Sequence, residues 1–215
     1  MELLQDISSS IQNGTIKQME ILITRALNEN YPPNTILQEG VVAALIKMEK
    51  QCNRNEIFDT EILAAEWAMK AALEIIMPHV RNDADDFLGT IITGTLEGDI
   101  RETSKNIVSC LMQGQGLKVV DLGASVSTVR FIDTALEEKA NIIACNAALT
   151  VFLPQMKLLV QAAAQADIRG KTKILLSGAP VTELFCKSID ADMYASDSIH
   201  AAKIAAEYCR KVKAK

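Results

Sequence analysis

From about residue 88 onward, short β-rich apolar runs alternate with segments of helix length, and this alternation limits the possible folds most strongly. The predicted strands span residues 88–95, 117–122, 141–146, 172–177 and 192–195. The predicted helices lie near residues 101–115, 127–139, 153–167, 180–188 and 197–212. Continuous apolar strands separated by helices are typical of a parallel sheet that is covered on both faces, with right-handed crossovers. The sequence therefore predicts a five-stranded parallel α/β domain over residues 87–215.

The residues before this domain show helical spacing alone. Turn signals at Asn13-Gly14-Thr15, Tyr31-Pro32-Pro33-Asn34, residues 53–59 and Pro78 divide them into four helices, with Asn34 and Thr60 as candidate caps. Residues 1–86 are therefore predicted to form a four-helix bundle, and the polar run 81–86 is the predicted linker. The apolar rows that fill its core are Ile16, Met19, Ile23 and Leu27, then Leu37, Val41, Leu45 and Met48, then Ile62, Ala65, Met69, Leu73 and Ile76.

Composition excludes several classes of partner. Of the 215 residues, 49% are hydrophobic, enough for well-filled cores, and the net charge of −5 is spread along the chain. A polybasic segment that would bind nucleic acid or an anionic membrane is missing from the sequence. The apolar runs are shorter than a membrane span and the first residues lack a basic start, so we expect a cytoplasmic protein. Five scattered cysteines without a Cys-x-x-Cys pair predict buried, reduced thiols.

Three loops are expected to share one edge of the sheet. Ligands of open parallel sheets bind beyond the carboxyl ends of the strands, where the strand order reverses. This rule selects residues 95–105, 146–150 and 177–180, which carry small or hydroxyl side chains that let a ligand approach the backbone. Taken singly, Gly98 suits a turn, Asp99 and Thr103 suit a helix start, and Ser177-Gly178 suits a turn. Their coincidence at one edge favours a binding site.

The same loops resemble the carrier module of corrinoid-dependent methyltransferases that act on methanol and methylamines. The matching segments are residues 94–100 with 105–108, then 120–123, 147–150, 177–182 and 191–195. In the helical half they are residues 37–40, 55–58 and 61–65, so the resemblance spans nearly the whole chain. It implies a helical cap over a corrin ring and a flavodoxin-like or Rossmann-like domain that holds cobalamin. It also implies that the cofactor's nucleotide tail enters the sheet edge, that cobalt is held within the cofactor, and that a separate methyltransferase is the partner.

The cofactor-binding set implied by the resemblance contains no catalytic side chain and no metal ligand from the protein. Its members are Gly98, Asp99, Ile100, Arg101, Glu102, Ser104, Asn146, Ala148, Leu149, Thr150, Ser177, Gly178, Ala179 and Tyr194.

The first loop departs from the family signature at the position of the metal ligand. The signature Asp-x-His-x-x-Gly reads Asp99-Ile100-Arg101-Glu102-Thr103-Ser104 here. A guanidinium stays protonated and offers no lone pair to a metal, so Arg101 cannot ligate cobalt. Neither His79 nor His200 stands at the expected position.

The tail pocket departs from the family pattern as well. Ser104 replaces the signature glycine, Asn146 replaces a serine, Ala148 replaces a leucine, and Ser177 replaces the first of two glycines. Asn146 and Ser104 narrow the channel whereas Ala148 opens it, so we expect a tail in an altered register.

Two interpretations of Arg101 remain open. One is an ion pair with Asp99 or Glu102, and the other is an N–H donor to corrin amides or to the tail phosphate. In the helical half, Met69 fits the apolar row, whereas Trp67 lies off that row and suits a ligand or an interface.

Three functions are compatible with these residues. The first is a cobalamin-binding methyl carrier or cofactor holder that is not a complete enzyme alone. The second is a cofactor-free regulatory or scaffold relative, and the third is a flavodoxin-like domain for another phosphate-bearing ligand. Retention of Gly98, Asp99, Gly178, Ala179 and Tyr194 favours the first, whereas the missing histidine suits the other two.

Overall fold

A computed structural model describes residues 2–53, 58–80 and 87–214 of the chain. The chain divides into two compact units, residues 1–86 and residues 87–215. The predicted linker, residues 81–86, lies outside the described residues. Within the described ranges, none of the helices combines the length and the apolar character needed to cross a membrane.

The first unit contains the four predicted helices. Helix α1 spans Glu2–Gln12, α2 spans Ile16–Asn28 and α5 spans Asp59–Val80. The third helix is built from α3 (Pro33–Thr35), a π-helical segment (Ile36–Val42) and α4 (Ala43–Asn53). The predicted apolar rows are buried, apart from Ile16 and Leu27, which are half-buried. The hydrophobic spacing therefore predicted both the helices and their inner faces.

Three predicted helix boundaries in this unit are wrong. Asn34 does not cap the third helix, because the helix begins at Pro33, whose fixed φ and missing N–H suit a first helical position. Thr60 lies inside α5, because the helix starts at Asp59 and the Phe58 N–H donates to Glu61 Oε2 at 2.8 Å. Pro78 does not end α5, which continues to Val80, since a proline this close to the end costs few backbone bonds.

The second unit is a parallel α/β domain. Its sheet has the order β2-β1-β3-β4-β5, with all neighbouring strands parallel, as predicted. The strands are β1 (Thr90–Gly94), β2 (Lys118–Asp121), β3 (Ile142–Asn146), β4 (Lys173–Ser177) and β5 (Met193–Ala195). The helices are α6 (Thr103–Gly114), α7 (Thr128–Glu137), α8 (Leu153–Gln165), α9 (Glu183–Ser188) and α10 (Ser198–Lys213), and a 3-10 turn (Thr150–Phe152) precedes α8.

Helix α9 begins later than predicted. The sequence predicts a helix from residue 180, whereas α9 starts at Glu183. Thr182 is the capping residue, and its Oγ1 accepts the N–H of Phe185 at 3.1 Å. A capping side chain of this kind fixes the first helical residue, so residues 180–182 remain in the loop that follows β4.

The two faces of the sheet carry different side chains. Ile143, Cys145 and Leu176 point into the core that contains Phe131 and Met156 from the helices α7 and α8. Because side chains alternate along a strand, the following residues, Asn146 and Ser177, point to the opposite face. This alternation places a pair of polar side chains at the carboxyl ends of β3 and β4.

The cysteines of the described residues are free and buried, as predicted. Cys110, Cys145, Cys186 and Cys209 form no disulfide, and the side chain of Cys52 lies outside the described part of the chain. Burial raises the pKa of the Cys209 thiol to about 11 and also raises the pKa of Cys145 and of Cys186. These three thiols therefore stay protonated at neutral pH.

Gly178 brings the loop after β4 against the end of β3. Its φ is +120°, and a Cβ at this position would lie 2.0 Å from the Ala147 carbonyl oxygen. The Ala147 N–H also donates to the Ser177 carbonyl at 3.1 Å, so both backbones are fixed at this point. A side chain at residue 178 would have to push the two strand ends apart.

We expect Gly178→Ala to lower the free energy of unfolding by about 2–4 kcal/mol, because it combines a strained φ with a backbone clash. Gly170→Ala is the matched control, since a Cβ there meets no atom within 4 Å. The control should change stability by less than about 0.5 kcal/mol. Urea unfolding of both variants measures the difference, and equal losses of stability would contradict this account of Gly178.

Candidate functional site

The loops at the carboxyl ends of β1, β3 and β4 meet at one edge of the sheet, as predicted. The loop after β1 touches the loop after β3, because the Arg101 guanidinium carbon lies 5.6 Å from the centre of the Phe152 ring. The loops after β3 and β4 meet through Gly178 and Ala147. Since β1 lies next to β3 and β3 next to β4, these contacts follow from the strand order.

The first loop is shaped by Gly98 and by its contacts with the loop after β2. Gly98 has a φ of +87°, which favours glycine, and its N–H donates to Ser125 Oγ at 3.0 Å. The Ser125 N–H donates to the Asp99 carbonyl at 3.0 Å, and Thr95 Oγ1 donates to the same carbonyl. The backbone at Asp99 is therefore held from both sides before the chain enters α6.

The Asp99 carboxylate is buried and binds Arg101. Its side chain is 4% exposed, whereas that of Arg101 is 43% exposed. Asp99 Oδ1 accepts from Arg101 Nε at 3.0 Å and from the Arg101 backbone N–H at 3.1 Å, and Oδ2 accepts from Nη2 at 3.3 Å. Such a two-point pair fixes the plane of the guanidinium. The predicted pairing with Asp99 is confirmed, whereas Glu102 binds Lys105 at 3.1 Å instead.

The ends of β3 and β4 form a polar floor. Asn146 Nδ2 donates to Ser177 Oγ at 3.2 Å, and these two residues are register partners in the sheet. Asn146 is half-buried and Ser177 is buried. Four further residues of the predicted set flank this pair in the adjoining loops: Ala148, Leu149, Thr150 and Ala179.

Tyr194 does not join this floor. It lies on β5 opposite Leu176, and it packs against the core on the α7–α8 face of the sheet, away from Asn146 and Ser177. There it borders a separate cavity of about 390 Å³ with Cys186 and His200. Ser104 is half-buried in the first turn of α6.

The sequence analysis missed four residues that shape the site: Lys105, Asp121, Ser125 and Phe152. The Ser125 loop carries a readable signal, since Gly123-Ala124-Ser125 is a run of small residues at the end of the strand beside β1. Phe152 lacked such a signal, because its apolar side chain reads as helix core. Lys105 and Asp121 lie in segments that resemble the family, and their charges alone do not indicate a contact with each other.

The residues at this edge fit a flat ligand with an apolar face and polar substituents. Ile100, Val151 and Leu149, in the loops after β1 and β3, are exposed by 79%, 68% and 49%. Among the residues that the structure describes, no cluster of three His, Cys, Asp or Glu side chains could hold a metal ion. The exposed apolar side chains and the Arg101 N–H groups at this edge therefore suit a flat ligand such as a corrin.

The two residues singled out in the helical unit behave differently. Met69 is fully buried in α5, as its place in the apolar row predicts, whereas Trp67 is 58% exposed. Leu63, one turn earlier on the same helix, is 43% exposed. Trp67 is therefore a surface residue of this unit, and its role stays a prediction.

Comparisons with known proteins agree on one family. A family model described as a B12 binding domain matches residues 89–200, and a second model with the same description matches residues 3–77. Trimethylamine corrinoid protein 2 of Methanosarcina acetivorans is 32% identical over 209 residues, which cover 95% of this chain and 96% of that protein.

Solved structures share the fold. The monomethylamine corrinoid protein of Methanosarcina barkeri has a TM-score of 0.67 at 25% identity, covering 96% of this chain and 98% of that one. A chain of the methanol:cobalamin methyltransferase complex from Methanosarcina barkeri has a TM-score of 0.68 at 20% identity, covering 98% of this chain and 84% of that one. With B12-binding-domain matches in both units and relatives along its whole length, the chain belongs to the family of methylamine corrinoid proteins.

Proposed function

We propose that this protein holds cobalamin at the carboxyl edge of its sheet, without a histidine from the protein, and carries methyl groups for a methyltransferase. The observation that supports this most strongly is the Arg101–Asp99 pair. The pair lies at the signature position of a family that binds corrinoids, and the buried carboxylate of that signature, Asp99, still binds the side chain two residues later. The protein is then a carrier subunit that works with a separate enzyme.

The residues of the α/β unit have distinct tasks in this proposal. Ile100, Leu149 and Val151 offer apolar contact to a face of the ring. Asp99 fixes the Arg101 guanidinium, whose remaining N–H groups suit the amide substituents of the ring. Gly98 lets the loop pass close to the ligand. When bound, the corrinoid supplies a cobalt centre that takes up a methyl group and passes it on.

With Arg101 at the signature position, this loop would hold the corrinoid without supplying a ligand to its metal. Arg101 has no lone pair and is turned onto Asp99, so its charge is balanced by a group of the protein.

The methyltransferase partner is proposed because relatives of this chain are named as methylamine corrinoid proteins and one solved neighbour belongs to a methyltransferase complex. The predicted domain roles, with residues 1–86 as a cap and residues 87–215 as the corrinoid-binding domain, rest on the resemblance. The cytoplasmic location also stays a prediction from the sequence.

The first test asks whether the protein binds cobalamin and what lies next to the metal. Purified protein is mixed with hydroxocobalamin, desalted and examined by visible spectroscopy, and we expect a retained chromophore. Loss of the chromophore on desalting would exclude this function and favour a cofactor-free relative or another phosphate-bearing ligand.

Arg101→His is expected to shift the visible bands, because an imidazole beside the buried Asp99 can reach the metal. Growth with 15N-labelled histidine sharpens this test, since the wild-type chain has two histidines, His79 and His200. The electron paramagnetic resonance spectrum of the reduced cobalt(II) form should depend on the label in Arg101→His and not in the wild type. Arg130→His, on the exposed surface of α7, is the matched control. A label-dependent wild-type spectrum would refute histidine-free binding, and an unshifted Arg101→His spectrum would place residue 101 away from the metal.

A second prediction concerns the nucleotide tail of cobalamin. The Asn146 carboxamide fills space at the strand ends and occupies the Ser177 hydroxyl. Asn146→Ser should therefore tighten binding of complete cobalamin by about tenfold, or ~1.4 kcal/mol. Binding of cobinamide, which lacks the nucleotide, should stay unchanged. Titrations followed by absorbance give both dissociation constants, and an equal change for the two ligands would place Asn146 away from the tail.

A further inference from the structure

Lys105 is a buried lysine at the base of the first loop, and its charge has no task in the function proposed above. It lies in the first turn of α6, and its side chain is 1% exposed. A buried ammonium is costly unless nearby groups balance its charge and accept its hydrogen bonds. An apolar residue would fill the same space without that cost. The polar partners of Lys105 therefore indicate what its charge does.

The partners of Lys105 come from two different loops. Its Nζ donates to Asn106 Oδ1 at 2.8 Å, to Glu102 Oε2 at 3.1 Å, and to Asp121 Oδ2. Glu102 stands just before α6, whereas Asp121 is the last residue of β2. The ammonium therefore ties the end of the loop after β1 to the start of the loop after β2.

The loop after β2 in turn contacts Asp99, the residue that binds Arg101. Asp121 Oδ1 accepts the Gly123 N–H at 2.9 Å, and the Gly123 carbonyl accepts the Thr95 N–H at 3.0 Å. The Ser125 N–H donates to Thr95 Oγ1 at 2.8 Å and to the Asp99 carbonyl at 3.0 Å. An unbroken set of hydrogen bonds thus leads from the Lys105 ammonium to Asp99.

We propose that Lys105 is a positioning residue, which sets the orientation of Arg101 toward the bound corrinoid through Asp121, the loop 123–125 and Asp99. This inference rests on the proposed cobalamin site for its last step. The fixed distances and the two carboxylate partners favour this role over simple filling of the core, because the ammonium contacts polar atoms of the two loops that frame the site.

The first experiment needs no cofactor. In Lys105→Met, which keeps an unbranched side chain one atom shorter and removes the charge, the amides of Gly98 and Ser125 should exchange their hydrogens about tenfold faster. The amides of β3 and β4 should keep their rates, which shows that the fold is intact. Residue-resolved exchange followed by NMR measures both sets. Lys203→Met, at an exposed position of α10, is the control and should change neither.

Asp121→Asn is the second variant, chosen because it keeps the lysine and weakens one ion pair. The same two amides should exchange faster, by a smaller factor. Unchanged exchange at Gly98 and Ser125 in both variants, with folding intact, would overturn the role of Lys105.

The second experiment is a double-mutant cycle on hydroxocobalamin binding. Lys105→Met should weaken binding about tenfold in the wild-type background and by less than about twofold in an Arg101→Ala background, since Lys105 acts through Arg101. Equal weakening in the two backgrounds would overturn the proposal. If the wild type does not bind hydroxocobalamin, the proposed function fails, and the exchange rates still decide whether Lys105 holds the Arg101 loop.

Discussion

The position of β1 between β2 and β3 is the constraint on which the site depends. In a parallel sheet the carboxyl ends of neighbouring strands share an edge, so the loop that leaves β1 is flanked by the loops after β2 and β3. The loop after β2 binds the backbone of this loop through Ser125, and the loop after β3 contacts the Arg101 side chain through Phe152. A different strand order would leave the Asp99 carboxylate without the surroundings that bury it.

The buried Asp99 explains why an arginine is tolerated where the family signature has a histidine. A carboxylate that is 4% exposed needs charged or N–H partners, and arginine supplies both through its side chain and its own backbone N–H. Arginine in place of histidine therefore keeps a partner for the Asp99 carboxylate, but it removes the lone pair that a metal requires. The structure of this loop therefore does not require a metal-ligating side chain at residue 101.

The sequence predicted the features that depend on periodicity and missed those that depend on three-dimensional contact. The apolar rows of the helical unit and the five strands follow from local spacing, and both were predicted. Tyr194 was grouped with the site because it lies in a segment that resembles the family, residues 191–195, but alternation along β5 turns it toward the other face. The predicted boundaries at Asn34 and Pro78 are wrong for two different reasons. Pro33 takes the first helical position before Asn34, and Pro78 lies so near the end of α5 that it removes few backbone hydrogen bonds.

The hydrogen bonds also show how the departures from the family signature fit together. Arg101 is matched by Asp99 and Phe152, and the Asn146 carboxamide is matched by the hydroxyl of Ser177, a position where the family has glycine. Had Asn146 changed alone, its amide would have faced a glycine with no side-chain acceptor, at a half-buried position where unpaired donors are costly. Arg101, Asn146 and Ser177 instead each have a partner within the site. Such matching is expected of a binding edge that was remodelled as a unit, since the decay of an unused site would leave some of these groups unpaired.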